Sequence, residues 1–75
     1  MSTTDTAPTR SSDTPPRSWS TRLAAYKGRG ASERDPRVQR CREALSYWRV
    51  RRTLDAELPT LTTDDRADLA QRLTT

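Results

Sequence analysis

The 75-residue chain lacks histidine and has a single cysteine, Cys41. Histidine is the usual general acid–base group at neutral pH, so a chain without it has few ways to catalyse proton transfer. One cysteine forms no intrachain disulfide, and without histidine it provides no structural zinc site. Cys41 follows the spacing of apolar residues, and we interpret it as a small core residue. These absences predict a protein that is not an enzyme and holds no metal or cofactor.

Long apolar runs are also missing. Hydrophobic residues make up 31% of the chain and charged residues 32%, and no stretch approaches the roughly 20 apolar residues of a membrane span. The start of the chain has neither the basic nor the apolar segment of a secretory signal. We therefore expect a cytoplasmic protein without a membrane partner. A chain this short buries little surface, so stabilisation by another chain is expected.

Residues 1–17 have few apolar side chains and are rich in Ser, Thr, Pro and Asp. Such a segment buries too little apolar surface to offset the entropy lost on ordering. The pair Pro15-Pro16 removes backbone donors and favours an extended chain. The sequence thus predicts a disordered tail over 1–17, followed by a small helical domain over 18–75.

Apolar residues spaced for one helix face predict a short helix over about 19–27. Its face consists of Trp19, Leu23 and Tyr26. A hydroxyl at Ser18 or Ser20 can accept from a free amide of the first turn, so one of them is expected to cap the helix. Gly28 is expected to supply the left-handed residue that ends it.

Asp35-Pro36 is the strongest local signal, because Asp is a good N-cap and proline is favoured at the first helical position. It predicts a long helix over about 36–58, which Pro59 ends. Thr62 then caps a third helix over about 62–73. Leucines of this third helix are expected to pack back on the end of the long one. The predicted fold is all-α, with a short helix, a long helix and a short C-terminal helix forming an antiparallel helical hairpin.

Two apolar stripes run along the long helix and point about 140° apart, at 100° per residue. The first stripe consists of Val38, Cys41, Leu45 and Trp48. The second stripe consists of Tyr47, Val50, Leu54 and Leu58. One docked helix cannot cover both, so the second stripe is the candidate interaction surface. The leading hypothesis is a non-enzymatic helical interaction module that binds a protein partner or forms a homo-oligomer.

Charge is distributed unevenly: residues 21–52 carry a net +7 and residues 53–75 a net −3. Arginines can neutralise phosphates and aromatic rings can stack on bases. The alternative hypothesis is therefore a sequence-tolerant nucleic-acid-binding protein that uses the arginine-rich segment 34–52. Its candidate contacts are Arg40, Arg42, Arg49, Arg51 and Arg52.

Two observations weigh against nucleic acid. Arg42 and Arg49 lie on one side of the long helix, whereas Arg40 and Arg51 lie on nearly the opposite side. The chain has 13 arginines and one lysine and lacks Ile, Phe and Asn. A GC-rich genome produces this bias without any need for phosphate binding.

From Asp35 onward the chain resembles short uncharacterised helical proteins of actinobacteria and their phages or integrated elements. The segments that carry the resemblance are Asp35-Pro36-Arg37-Val38, Arg42-Glu43-Ala44-Leu45, Pro59-Thr60-Leu61-Thr62 and Arg66-Ala67-Asp68-Leu69-Ala70. They span about half of the chain, over roughly residues 35–73. The resemblance implies a helical hairpin and an accessory protein of a phage or mobile element, and it assigns no functional residue.

Overall fold

The computed structural model describes residues 10–74, and over this range the chain is all-α. The elements, in order, are a first 3-10 turn (Ser11–Asp13), α1 (Pro16–Gly28), α2 (Pro36–Glu57), a second 3-10 turn (Leu58–Thr60) and α3 (Thr63–Thr74). The predicted fold class is confirmed, and the helices lie within a few residues of their expected positions. None of the helices in this range is both long enough and apolar enough to cross a membrane.

Helix α1 begins at Pro16, three residues earlier than expected. Pro15 is its N-cap, and the carbonyl oxygen of Pro15 accepts from the amides of Ser18 and Trp19. A proline at the first helical position loses no hydrogen bond, because the amide there has no partner within the helix. The proline pair therefore starts a helix instead of extending the chain. Ser18 and Ser20 lie inside α1, so neither is the cap that we predicted.

The segment before α1 is held by the two tryptophans. The indole Nε1 of Trp19 donates to the carbonyl oxygen of Ser11 over 3.1 Å, and that of Trp48 donates to the same oxygen over 2.8 Å. Trp48 Nε1 also donates to the carbonyl oxygen of Thr14 over 3.0 Å. The folded part thus begins earlier than predicted, since residues 10–17 were expected in the disordered tail. The rest of that tail, residues 1–9, lies outside the described residues.

Helix α1 ends in a Schellman motif. The amide of Ala31 donates to the carbonyl oxygen of Tyr26, and the amide of Gly30 donates to that of Lys27. The left-handed residue of this motif is Gly30, with a φ of 93°. The prediction placed it at Gly28, which instead forms the last residue of α1. A side chain at Gly30 would be strained, because L-residues rarely adopt this φ.

Helices α1 and α2 pack as an antiparallel pair around a small core. Asp35 caps α2 as predicted, with its Oδ1 accepting from the amide of Arg37 over 2.8 Å. Trp19, near the start of α1, packs against Cys41 in the first half of α2, whereas Tyr26, near the end of α1, lies under Arg37 at the start of α2. The buried residues are Trp19, Val38, Cys41 and Ala44. The first stripe therefore faces the core, although Leu45 and Trp48 are only half-buried.

Helix α3 packs less closely than expected. Its cap is as predicted, because Thr62 Oγ1 accepts from the amide of Asp65 over 3.0 Å. However, α3 has no buried residue, and Leu73 is 73% exposed. Arg66 Nη2 donates to the carbonyl oxygen of Leu58 over 2.6 Å, which directs the arginine toward the second 3-10 turn. The hairpin expected between α2 and α3 is thus left open, and the closely packed antiparallel pair is α1 with α2.

Candidate interaction surfaces

The second stripe does not form one continuous face. Tyr47 and Val50 are 38% and 59% exposed, and Leu54 is half-buried. Tyr47 packs edge-on against Trp48, with ring centroids 5.4 Å apart. Leu58 leaves the α-helix and begins the second 3-10 turn. The structure therefore brings Val50 and Leu54 together and separates them from the two ends of the stripe.

An apolar groove runs between α2 and α3. We call it the α2–α3 groove, and its volume is about 510 Å³. Its lining residues are Arg49, Val50, Thr53, Leu54, Glu57, Leu61 and Leu69. Of the four stripe residues, only Val50 and Leu54 line it. The sequence predicted that leucines of the third helix pack back on the end of α2, and the structure instead places Leu69, together with Leu61, on an open surface.

Three of the five candidate nucleic-acid contacts have partners within the protein. Arg42 makes two hydrogen bonds to Glu33, of 2.7 and 2.9 Å. The guanidinium of Arg40 lies 5.0 Å from the ring centroid of Trp19, and its Nη1 donates to Ser11 Oγ over 3.2 Å. Such contacts hold these side chains against α1 and the segment that precedes it.

Arg51 lies 4.7 Å above the ring of Trp48 and donates from Nη1 to the hydroxyl of Tyr47 over 3.1 Å. It lines a shallow cavity together with Arg49, Arg52 and Trp48. Among residues 10–74, neither Arg49 nor Arg52 makes an ion pair. The structure thus divides the five candidate contacts into three with internal partners and a pair, Arg49 and Arg52, that faces solvent.

Glu33 joins the α1–α2 loop to both helices. It accepts from Lys27 Nζ over 2.6 Å, at the end of α1, and from Arg42 on α2. The hydrogen bonds from Arg42, followed by the one from Lys27, lower the pKa of Glu33 to about 2. The pKa of Asp35 is also lowered to about 2, by hydrogen bonds from the side chain and the backbone amide of Arg37. Both carboxylates hold neighbouring segments together, and with a pKa of about 2 each stays ionised at neutral pH.

Cys41 is buried in the core, as predicted, with a side chain that is almost fully covered. Burial raises the pKa of its thiol, against the opposing effect of Arg22 and Arg40. A protonated, covered thiol is a poor nucleophile, since the thiolate is the reactive form. The position of Cys41 therefore agrees with packing and gives no support to catalysis.

Sequence reasoning missed one group that organises this region, the carbonyl oxygen of Ser11. Every residue has a backbone carbonyl oxygen, so the residue types in the sequence could not identify this one as an acceptor. The available signal was Pro15-Pro16, because a helix that starts there brings the preceding residues beside Trp19 and Trp48.

The chain matches no protein-family model, no curated protein and no solved structure at a significant level. The function is therefore argued from the surfaces described above.

Proposed function

We propose that the protein is a non-enzymatic interaction module that associates with a second copy of itself through the α2–α3 groove. The observation that carries this proposal is the apolar lining of the groove, which α3 borders without filling. Leu69, on the rim, is 38% exposed and Leu73, one turn further along α3, is 73% exposed. The leucines of α3 in one copy provide an apolar edge of the kind that the groove of the other copy needs.

Exposed apolar residues in a chain this small argue for a covering partner. Soluble monomers rarely expose contiguous apolar patches that are large relative to their surface, and such patches commonly mark contact sites. The core of this protein contains only four buried residues within the described range. Burial of Val50, Leu54 and Leu69 between two copies would add apolar contacts that the single chain lacks.

Charge favours a second copy over an unrelated partner. Arg49 on the groove rim and Arg52, one turn further along α2, make no ion pair within residues 10–74, and neither do Asp64 and Asp65 at the start of α3. One chain thus supplies both signs of charge, with the basic residues on α2 and the acidic residues in the first turn of α3. A two-fold dimer places the same patch of both copies in contact, so each copy can meet the basic rim of the other with its acidic helix end.

The biological setting that we propose is an accessory protein of a phage or mobile element, acting in the cytoplasm. This part of the proposal is supported by the sequence resemblance of residues 35–73 and by the presence of a single cysteine in the chain.

Sedimentation and light scattering over a range of concentrations test the proposal. We expect the wild type to form a dimer and Val50→Asp to be monomeric, because an unpaired carboxylate in an apolar contact is costly. Leu73→Asp should weaken the dimer as well. Because Leu73 is far from the core, this second variant remains informative if Val50→Asp disturbs α2.

Ala24→Asp is the matched control, since Ala24 is an exposed residue in the middle of α1 and does not line the groove. It should remain dimeric, with circular dichroism verifying that all variants are helical. A wild type that is monomeric at every concentration would overturn the proposal, and so would a dimer that Val50→Asp and Leu73→Asp leave unchanged.

A further inference from the structure

A second cavity, separate from the α2–α3 groove, lies between α1 and the first half of α2. We call it the α1–α2 cleft, and its volume is about 390 Å³. Its lining residues are Trp19, Arg22, Tyr26, Pro36, Arg37, Arg40 and Cys41. Among the lining residues within the described range 10–74, three are arginines and none is a carboxylate. One arginine comes from α1 and two come from α2, so the cleft forms only when the two helices pack.

Aromatic rings hold the three guanidinium groups in place. The guanidinium carbons of Arg22 and Arg40 lie 5.1 and 5.0 Å from the ring centroid of Trp19. That of Arg37 lies 4.8 Å from the ring centroid of Tyr26. Stacking of this kind restricts the side chains, so less conformational entropy is lost when they bind a ligand.

Positive charge in the cleft is only partly compensated. Arg37 pairs with Asp35 over 2.8 Å, and Arg40 lies 3.9 Å from Glu43 and donates to Ser11 Oγ over 3.2 Å, so both of these arginines have partners within the chain. Arg22 makes no ion pair with any residue from 10 to 74. Arg22 and Arg40 approach the same ring from different helices, and both act electrostatically on the Cys41 thiol. Like charges gathered in this way repel one another, and an anion between them would relieve that repulsion.

We propose that the α1–α2 cleft binds a phosphoryl group, either as inorganic phosphate or as the phosphate of a small ester. Arg22 and Arg40 are the main ligands and Arg37 lies beside them at the start of α2. The planar fork of a guanidinium matches two phosphate oxygens at once, and charge-assisted bonds of this type are among the strongest hydrogen bonds in proteins. This site is independent of the groove and of the proposed dimer.

Isothermal titration calorimetry of the full chain with inorganic phosphate, at constant ionic strength, tests the site. We expect saturable binding, and Arg22→Gln should weaken it about tenfold or more, because charge-assisted bonds are lost. Arg17→Gln is the matched control, since Arg17 is also an exposed arginine of α1 but does not line the cleft. It should bind phosphate as the wild type does.

A second variant and a second ligand complete the test. Arg37→Gln removes a second guanidinium of the cleft, one that stacks on the half-buried Tyr26 and pairs with Asp35, and it should also weaken binding. Because the backbone amide that caps α2 through Asp35 is kept, this variant remains informative if Arg22→Gln unfolds. Tighter binding of a nucleoside monophosphate than of inorganic phosphate would identify a phosphate ester as the ligand, and weaker binding would identify inorganic phosphate. The proposal is overturned if the wild type shows no saturable binding, or if Arg17→Gln weakens it as much as Arg22→Gln and Arg37→Gln do.

Discussion

Arginine side chains in this protein act as packing groups as well as charges. Four guanidinium groups lie within about 5 Å of an aromatic ring centroid, and they belong to Arg22, Arg37, Arg40 and Arg51. In a chain without phenylalanine, their planar faces cover the rings that a larger core would bury. Each contact of this kind contributes roughly 0.5–1 kcal/mol at exposed sites. Arginine count alone is therefore a poor guide to nucleic-acid binding here.

The lowered pKa of one residue, Glu33, predicts how the stability of the fold depends on pH. Its pKa is lowered from 4.5 to about 2 in the folded chain, so its ion pairs stabilise the fold fully above about pH 5. This stabilisation is lost as the pH falls toward 2. We expect the melting temperature to fall over this range and Glu33→Gln to flatten the profile, with a smaller effect in high salt because the groups are exposed.

Thermal melts followed by circular dichroism from pH 7 to pH 2 measure this effect. Glu43→Gln serves as the control, because the contact of Glu43 with Arg40 is long, at 3.9 Å. Equal flattening by both variants would show that Glu33 has no special role.

At the scale of elements, α1 depends on the short segment before it. The first 3-10 turn positions the carbonyl oxygen of Ser11 to accept from two indole donors, and the backbone amide of Arg10 donates a hydrogen bond to Asp13 Oδ2 over 3.2 Å. Half-buried donors that lose their acceptors leave a desolvation cost behind. The segment thus joins α1 to the middle of α2 as well as preceding α1 in sequence.

Two shortened chains test this role. A chain that begins at Pro16 should be less stable than one that begins at Arg10 by about 1–3 kcal/mol, because the indole groups lose their acceptors. This corresponds to a fall in melting temperature of roughly 4–8 °C per kcal/mol. Trp48→Phe should destabilise the Arg10 chain by about 1 kcal/mol more than the Pro16 chain. An equal effect in both chains would mean that the bonds from Trp48 contribute nothing.

At the scale of the whole molecule, basic and acidic regions lie on different elements. Helix α2 carries Arg49 and Arg52 toward solvent, whereas the first turn of α3 carries Asp64 and Asp65. Few of the candidate arginines remain to follow a phosphate backbone, because Arg40, Arg42 and Arg51 have partners within the protein. This arrangement favours contacts between copies over contacts with nucleic acid.

Titration with labelled duplex and single-stranded DNA at 50 and 200 mM salt distinguishes the two functions. We expect no micromolar binding at the higher salt. If the chain does bind DNA through this segment, each phosphate contact adds about −0.9 to the slope of log K against log salt. Joint replacement of Arg49, Arg51 and Arg52 by Gln would then flatten the slope by about three. Tight, salt-dependent binding that this triple variant abolishes would contradict the proposed function.

The sequence alone determined the features that depend on neighbouring residues. Asp35-Pro36 and Thr62 mark the starts of α2 and α3 because a cap is a contact between residues two or three apart. The 3.6-residue period likewise identified the stripe that faces α1, since side-chain direction follows from position along a helix.

Only the tertiary structure decided which surfaces are covered. The ordered structure of residues 10–17 depends on a hydrogen bond from Trp48 to Ser11, which lies 37 residues earlier in the chain. The α1–α2 cleft requires Arg22 and Arg40, on different helices, both to approach the ring of Trp19. The α2–α3 groove stays open because Leu69 reaches its rim without filling it. Such contacts join distant parts of the chain, and their formation depends on how whole helices pack, which local patterns of residue type do not specify.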